Sequence, residues 1–216
     1  MTAPKEKNVI LASGSPRRRE ILEDLGISPI VRPADVDETP RDGESPTELV
    51  ERLACAKAEA CAADLPAELA GQTVLAADTI VWREGGHVLG KPANDDQARA
   101  MLEELSGATH HVSTGVCLLV RAGGREERVS FHETTDVRFR TLSAEEICAY
   151  VRSGEPADKA GSYGIQGLGR LLVSGIEGDY YNVVGLPVTR TLCELDRVLE
   201  QRGGDENITR ILEGLR

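Results

Sequence analysis

Helix-start signatures and strand runs alternate along this chain, and two glycine turns fold neighbouring strands back on each other. Residues 8–12 (NVILA) read as a short buried strand that leads into SGSPRRRE, where Ser15 is a good N-cap and Pro16 suits the first helical position. Ser45, Pro46 and Glu48 open a helix over 45–63 with serine at the N-cap and glutamate at the third position. Residues 73–82 (TVLAADTIVW) form a strand, and Glu84, Gly85, Gly86 and His87 turn it back into HVLGKP. Asn94 with Gln97 starts a helix that stops near Gly107. VSTGVCLLV then pairs with ERVSFHETTDVRFR through Ala122, Gly123 and Gly124, with Val129, Phe131, Val137 and Phe139 marking an apolar face. Ser143 and Glu146 cap a helix ending near Gly154, and another runs from about Pro187 to Arg202. Residues 155–185 are rich in glycine, poor in periodicity, and read as the longest irregular segment. Alternating strands and helices predict an α/β fold, and the consecutive hairpins make its sheet mixed rather than doubly wound and parallel. Residues 1–202 form one domain in this reading, and 203–216 a tail or short helix.

The bulk numbers exclude several function classes. A net charge of −11 is wrong for duplex DNA or an anionic membrane surface. Aromatic residues make up 3%, too few for the stacking platforms of single-stranded nucleic-acid binders. No apolar run approaches the ~18 residues of a membrane span, and the one in MTAPKEKNVILASGS is too short for a signal peptide. The five cysteines are scattered without a CxxC pair, so neither a zinc site nor a disulfide framework is expected, and a reducing cytoplasm is the simplest compartment.

Against that background, four features break local rules. Arg17, Arg18 and Arg19 follow a helix start, where the partial positive charge favours acids. They are either a solvated patch or, with Ser13, Ser15 and the free N–H groups, a holder for phosphate. Lys57 falls on the apolar face of its helix, with Leu49, Val50, Leu53 and Cys61, and either snorkels or meets an anion. Asp78 interrupts an apolar strand and needs a cation, a metal or a raised pKa, unless it caps a strand end. Taking Gly85-Gly86 as a two-residue turn sets Ile80 opposite Lys91, which leaves Asp78 as the diagonal neighbour of Lys91. Weaker signals come from Asp35, Asp37 and Glu38, suited to a hard cation or to water, and from Gln166, either solvated or reading a base edge. His110-His111 reads as a loop pair. Asp78 and Thr79 are adjacent, so both reach one cleft only if the strand ends or bulges there.

LASGSPRRREIL, VDE, LACAKA, AADTIV, GKP and SYGIQGLG, in this order, resemble the Maf family of nucleotide pyrophosphatases, from about Val9 to about Leu195. The resemblance implies an elongated mixed α/β fold in two lobes around a central cleft, similar to inosine-triphosphate pyrophosphatases and a homodimer in many members. It implies a cytoplasmic enzyme hydrolysing nucleoside triphosphates to the monophosphate and pyrophosphate with a divalent metal, Mg2+ or Mn2+. Ser13, Ser15, Arg17, Arg18, Lys57 and Lys91 would then bind phosphates, and Glu38 and Asp78 would serve metal and water, with Asp78 the proton acceptor. Thr79 and Gln166 would act on base choice. Arg17, the Asp78-Thr79 pair and Gln166 match the subgroup acting on dTTP and UTP. The alternatives are a 7-methyl-GTP pyrophosphatase, whose subgroup typically has an aromatic residue where Arg17 stands, and a non-catalytic nucleotide-binding regulator of septum formation.

Overall fold

The computed structural model describes residues 9–200, so the expected tail at 203–216 lies outside the described residues. Strand β1 (Val9–Leu11) lies between β2 (Ile30–Val31) and β3 (Thr73–Arg83) and runs parallel to both. β3 pairs antiparallel with β4 (His87–Leu89) and β5 (Thr109–Ala122). β5 pairs with β6 (Arg125–Phe139), and β6 with β7 (Val173–Glu177), again antiparallel. The result is a mixed seven-stranded sheet flanked by helices.

One face is covered by α2 (Pro46–Ala63), whose Ala54, Ala58 and Cys61 pack on Val74, Ala76, Cys117 and Leu119. The expected capping box forms: the Ser45 hydroxyl accepts from the Glu48 N–H, and the Glu48 carboxylate accepts from the Ser45 N–H. At Gly115 the α2 backbone lies directly on the sheet, because a Cβ there would stand 2.2 Å from the Val50 carbonyl oxygen.

The opposite face carries two separate helix pairs. α1 (Pro16–Asp24) and α6 (Val188–Glu200) set Ile21, Leu22, Leu192 and Leu195 against Leu75, Ala77, Val116 and Leu118. α3 (Asp95–Leu105) and α4 (Ala144–Arg152) set Leu102, Leu105, Ile147 and Val151 against Val81, Val112, Val137 and Phe139. Burying each such side chain contributes about 1.5–3 kcal/mol. Residues 75, 77 and 81 share a face of β3 by alternation, so the two pairs sit towards opposite ends of the same strands. Thr79 and Thr114, partners in the β3–β5 ladder, fall between them. Beside them lies the short helix α5 (Tyr180–Val184).

Four expectations need correction. β3 neither ends nor bulges at Asp78-Thr79: its register with β5 is unbroken from Thr73–Val120 to Trp82–His111. Its other edge is what opens, since β1 covers it only as far as Leu75 and β4 only from Val81. Among the described residues no strand pairs with 76–80 on the edge away from β5, so a cleft can reach both faces of β3 around that edge. The first hairpin turn has three residues, with Gly85 and Gly86 both at φ +81°, a region glycine enters without a Cβ clash. Arg83 therefore pairs with His87, and the ladder stops at Leu89 before Lys91, so the diagonal pairing of Asp78 and Lys91 does not form. Residues 155–185 contain β7 and α5 besides three short 3-10 turns, and His110 is a fully buried residue of β5 rather than a loop residue.

Candidate active site

The chain from Ser13 into α1 forms one wall of a cleft of about 1030 Å³. Ser15 is the N-cap of α1, but its side chain makes no capping bond; Ser13 Oγ instead accepts the Ser15 N–H at 3.3 Å. The three arginines part company. Arg19 pairs with Glu23 at 3.6 Å on the exposed face, as a solvated patch would. Arg17 is half-buried and lines the cleft. Arg18 is buried, donating from Nε to Gly185 O (2.8 Å), from Nη1 to Ser13 Oγ (2.9 Å) and from Nη2 to Thr79 Oγ1 (2.9 Å). Among the described residues no carboxylate forms an ion pair with it. Burial pushes the Arg18 guanidinium down to about 10, resisted by the charge of Asp78 and reinforced by that of Arg17. A desolvated guanidinium of this kind favours the arrival of an anion.

Around the open edge of β3 lies the second group. Lys57 Nζ stands 2.6 Å from Asp78 Oδ1 and 2.6 Å from Glu38 Oε1. Burial works to lower the Lys57 ammonium, but Asp78 and Glu38 outweigh it and hold it above the usual lysine value. Asp78 is buried and Glu38 exposed, so one carboxylate is fixed and the other faces the opening. Of the expected acidic trio only Glu38 reaches the cleft; Asp37 instead accepts the Thr39 N–H at 2.9 Å and Asp35 is exposed elsewhere. Among the described residues no three His, Cys, Asp or Glu groups converge as a metal cage. Two hard carboxylates lining one cleft nevertheless fit Mg2+, which is commonly held by one or two carboxylates plus substrate oxygens.

The far wall carries Lys91, Glu155, Asp158, Lys159 and Gln166. Lys91 and Gln166 are exposed to the cleft. Glu155 accepts from the Tyr150 hydroxyl (2.9 Å) and from the N–H groups of Leu168 (2.9 Å) and Gly169 (3.0 Å), which fixes the loop bearing Gln166. Burial pushes the Glu155 carboxyl up, yet these donors hold it below the usual value. Gly167 sits at φ +61°, and a Cβ there would come 2.6 Å from Glu155 Oε2. Glu155, Asp158, Lys159, Thr114 and Gly185 had no sequence reading. The only available signal was the charge cluster EPADK just before SYGIQGLG.

Fold and site together define a mixed α/β protein with a charged cleft, lined by Arg17, Arg18, Lys57, Lys91 and Lys159 and by two carboxylates, Glu38 and Asp78, around an open strand edge. The sequence profile of the family described as Maf-like protein matches residues 8–198, and the chain belongs to that family. A dTTP/UTP pyrophosphatase of Symbiobacterium thermophilum is 53% identical over 186 residues, covering 86% of this chain and 91% of the relative. One from Bacillus cereus (strain G9842) is 49% identical over 189 residues, covering 88% and 94%. One from Nitratidesulfovibrio vulgaris is 48% identical over 196 residues, covering 90% and 88%.

Proposed function

We propose that this chain is an enzyme that hydrolyses dTTP and UTP to the nucleoside monophosphate and pyrophosphate. The observation that carries the reading is the buried Arg18 guanidinium, which has no ion-paired carboxylate among the described residues, set in one cleft with the Lys57–Asp78 pair. Relatives about half identical to the chain bear the name dTTP/UTP pyrophosphatase. We extend the proposal to a cytoplasmic homodimer that leaves nucleic acid alone, in keeping with the net charge of −11.

In this mechanism Ser13, Ser15, Arg17, Arg18 and the free N–H groups at the start of α1 bind the phosphate chain, joined by Lys91 from the far wall. Asp78 accepts a proton from water. The water oxygen bonds to the α-phosphorus, the bond to the bridging oxygen breaks, and pyrophosphate leaves. Lys57 holds the Asp78 carboxylate in place through their 2.6 Å contact, and the surrounding cations stabilise charge on the leaving group. Mg2+ or Mn2+ held by Glu38 and Asp78 would lower the pKa of the attacking water and neutralise phosphate charge. Gln166, with both a donor and an acceptor, reads the base edge.

The test is pyrophosphate release from dTTP, UTP, CTP, 7-methyl-GTP, ITP and ATP with Mg2+, beside Asp78→Asn. The expected result is release with dTTP and UTP fastest, slowed about 10²–10⁴-fold in a folded Asp78→Asn protein. No release from any triphosphate by the folded wild type would overturn the reading, and equal rates in the variant would remove Asp78 from it.

A further inference from the structure

Arg18 stands at the head of a one-way chain of hydrogen bonds. Its Nη2 donates to Thr79 Oγ1, Thr79 Oγ1 lies 2.9 Å from Thr114 Oγ1, and Thr114 Oγ1 lies 3.0 Å from the Asn182 carbonyl oxygen. A guanidinium only donates and a carbonyl only accepts. Thr114 therefore gives its single hydroxyl hydrogen to Asn182 and accepts from Thr79. The Thr79 hydrogen is directed at Thr114, which leaves its lone pairs for Arg18. The two ends fix the direction of both hydroxyls, in a place where the cross-strand pairing of Thr79 with Thr114 already holds them together.

The far end of the chain is firmly seated. The buried Asn182 side chain donates to Val112 O (2.9 Å) and Thr135 Oγ1 (3.0 Å), tying α5 to β5 and β6. Gly185, just after α5, accepts Arg18 Nε directly. One short segment thus offers two acceptors to one guanidinium, the first directly and the second through two hydroxyls. Of the five N–H donors of Arg18, those to Gly185, Ser13 and Thr79 take three, leaving one on each terminal nitrogen.

Resting on the reading above, we propose that Thr114 is a positioning residue for the anion site: it orients the Thr79 hydroxyl, and so holds Arg18 with its two remaining N–H groups towards one phosphate. Thr79 then has no hydrogen to offer a base: its hydroxyl holds Arg18, and it can meet a base only as an acceptor.

Calorimetric binding of inorganic tripolyphosphate, which has no base, tests this separately from turnover. Thr114→Val keeps the shape and removes the hydroxyl, and should weaken binding about tenfold, whereas Thr114→Ser should stay within about twofold of the wild type. In an Arg18→Lys background the valine should cost nothing further, because the relay no longer has its guanidinium. Equal losses for valine and serine, or the same valine loss in the lysine background, would overturn the proposal. So would unchanged binding by Thr114→Val, or a wild type that binds no tripolyphosphate. If Thr114→Val does not fold, Thr79→Val cuts the same chain at a half-buried position and is read by the same comparison. A wild type that binds tripolyphosphate but releases no pyrophosphate from any triphosphate would sink the activity and leave the relay standing.

Discussion

Lys57 is the residue on which the site's charges balance. It separates a buried carboxylate from an exposed one, each 2.6 Å from its ammonium nitrogen. Replacing it with methionine leaves Asp78 desolvated without its ion-pair partner, and breaking such a pair from one side typically costs ~3–5 kcal/mol when fully buried. Partial solvent access through Glu38 reduces that, so Lys57→Met should lose about 1–3 kcal/mol in thermal unfolding without metal. Adding Mg2+ should raise the melting temperature of the variant more than that of the wild type, because the freed carboxylates gain a cation that binds only the folded chain. If Mg2+ raises both equally, Glu38 and Asp78 are not a metal pair. Lys57 and Asp78 were legible in the sequence because each violates the apolar pattern of its own element. Arg18 was not separable from Arg17 and Arg19, since only the packing of α1 decides which of three neighbours turns inward. Thr114 was silent because its meaning comes from Thr79, Arg18 and Asn182, all remote in sequence.

At the level of elements, β3 makes one cleft out of two faces. Its edge is bare from 76 to 80, so Asp78 under α2 and Thr79 beside α1 address the same space although they point apart. The arrangement depends on α2 lying tightly on the sheet, and Gly115, the ladder partner of Asp78, permits that approach. Gly115→Ala would drive a methyl group into the Val50–Glu51 backbone, which cannot rotate away as a side chain can. Overpacking of this kind costs about 1–3 kcal/mol or more, read as a lower urea midpoint at unchanged slope. Gly90→Ala, with open space around it and no positive φ, should stay within about 0.5 kcal/mol of the wild type. Equal midpoints for the two variants would refute the account of α2 packing. The capped helices and long hairpins were legible because capping boxes and glycine turns are local chemistry. β7 was not, because a half-exposed edge strand with Ser174 and Gly175 in its middle carries no apolar alternation. The misread turn came from two glycines that suit a two-residue loop and a three-residue loop equally well.

Across the whole molecule, the gap between the two helix pairs lets the polar cleft coexist with two apolar clusters on one sheet face. The cluster under α3 and α4 encloses a histidine that the chemistry does not use. His110 is fully buried, its ring edge-on to Phe139 at 5.0 Å and to Tyr163 at 5.3 Å, with Nε2 2.8 Å from the Tyr163 hydroxyl. Among the described residues Nδ1 has no hydrogen-bond partner. Burial, aided by the charges of His111 and Arg83, pushes the imidazole down to about 3, against 6.5 for an ordinary histidine. Between those values the unfolded chain binds a proton that the folded chain refuses, so stability rises with pH across the window. The contribution is intact above pH ~6.5, declines as pH falls, and stops declining below about 3. Between pH 6 and pH 4 His110 alone should therefore remove about 2–3 kcal/mol of stability. Carboxylates titrate in the same range, so the useful quantity is the difference in slope between the wild type and His110→Phe, whatever the absolute stability of the variant. Urea unfolding at several pH values should give a flatter profile for His110→Phe, by about 1.4 kcal/mol per pH unit near pH 5. Parallel profiles would mean that the folded lobe accepts the proton, and that acid does not act on the protein through this cluster.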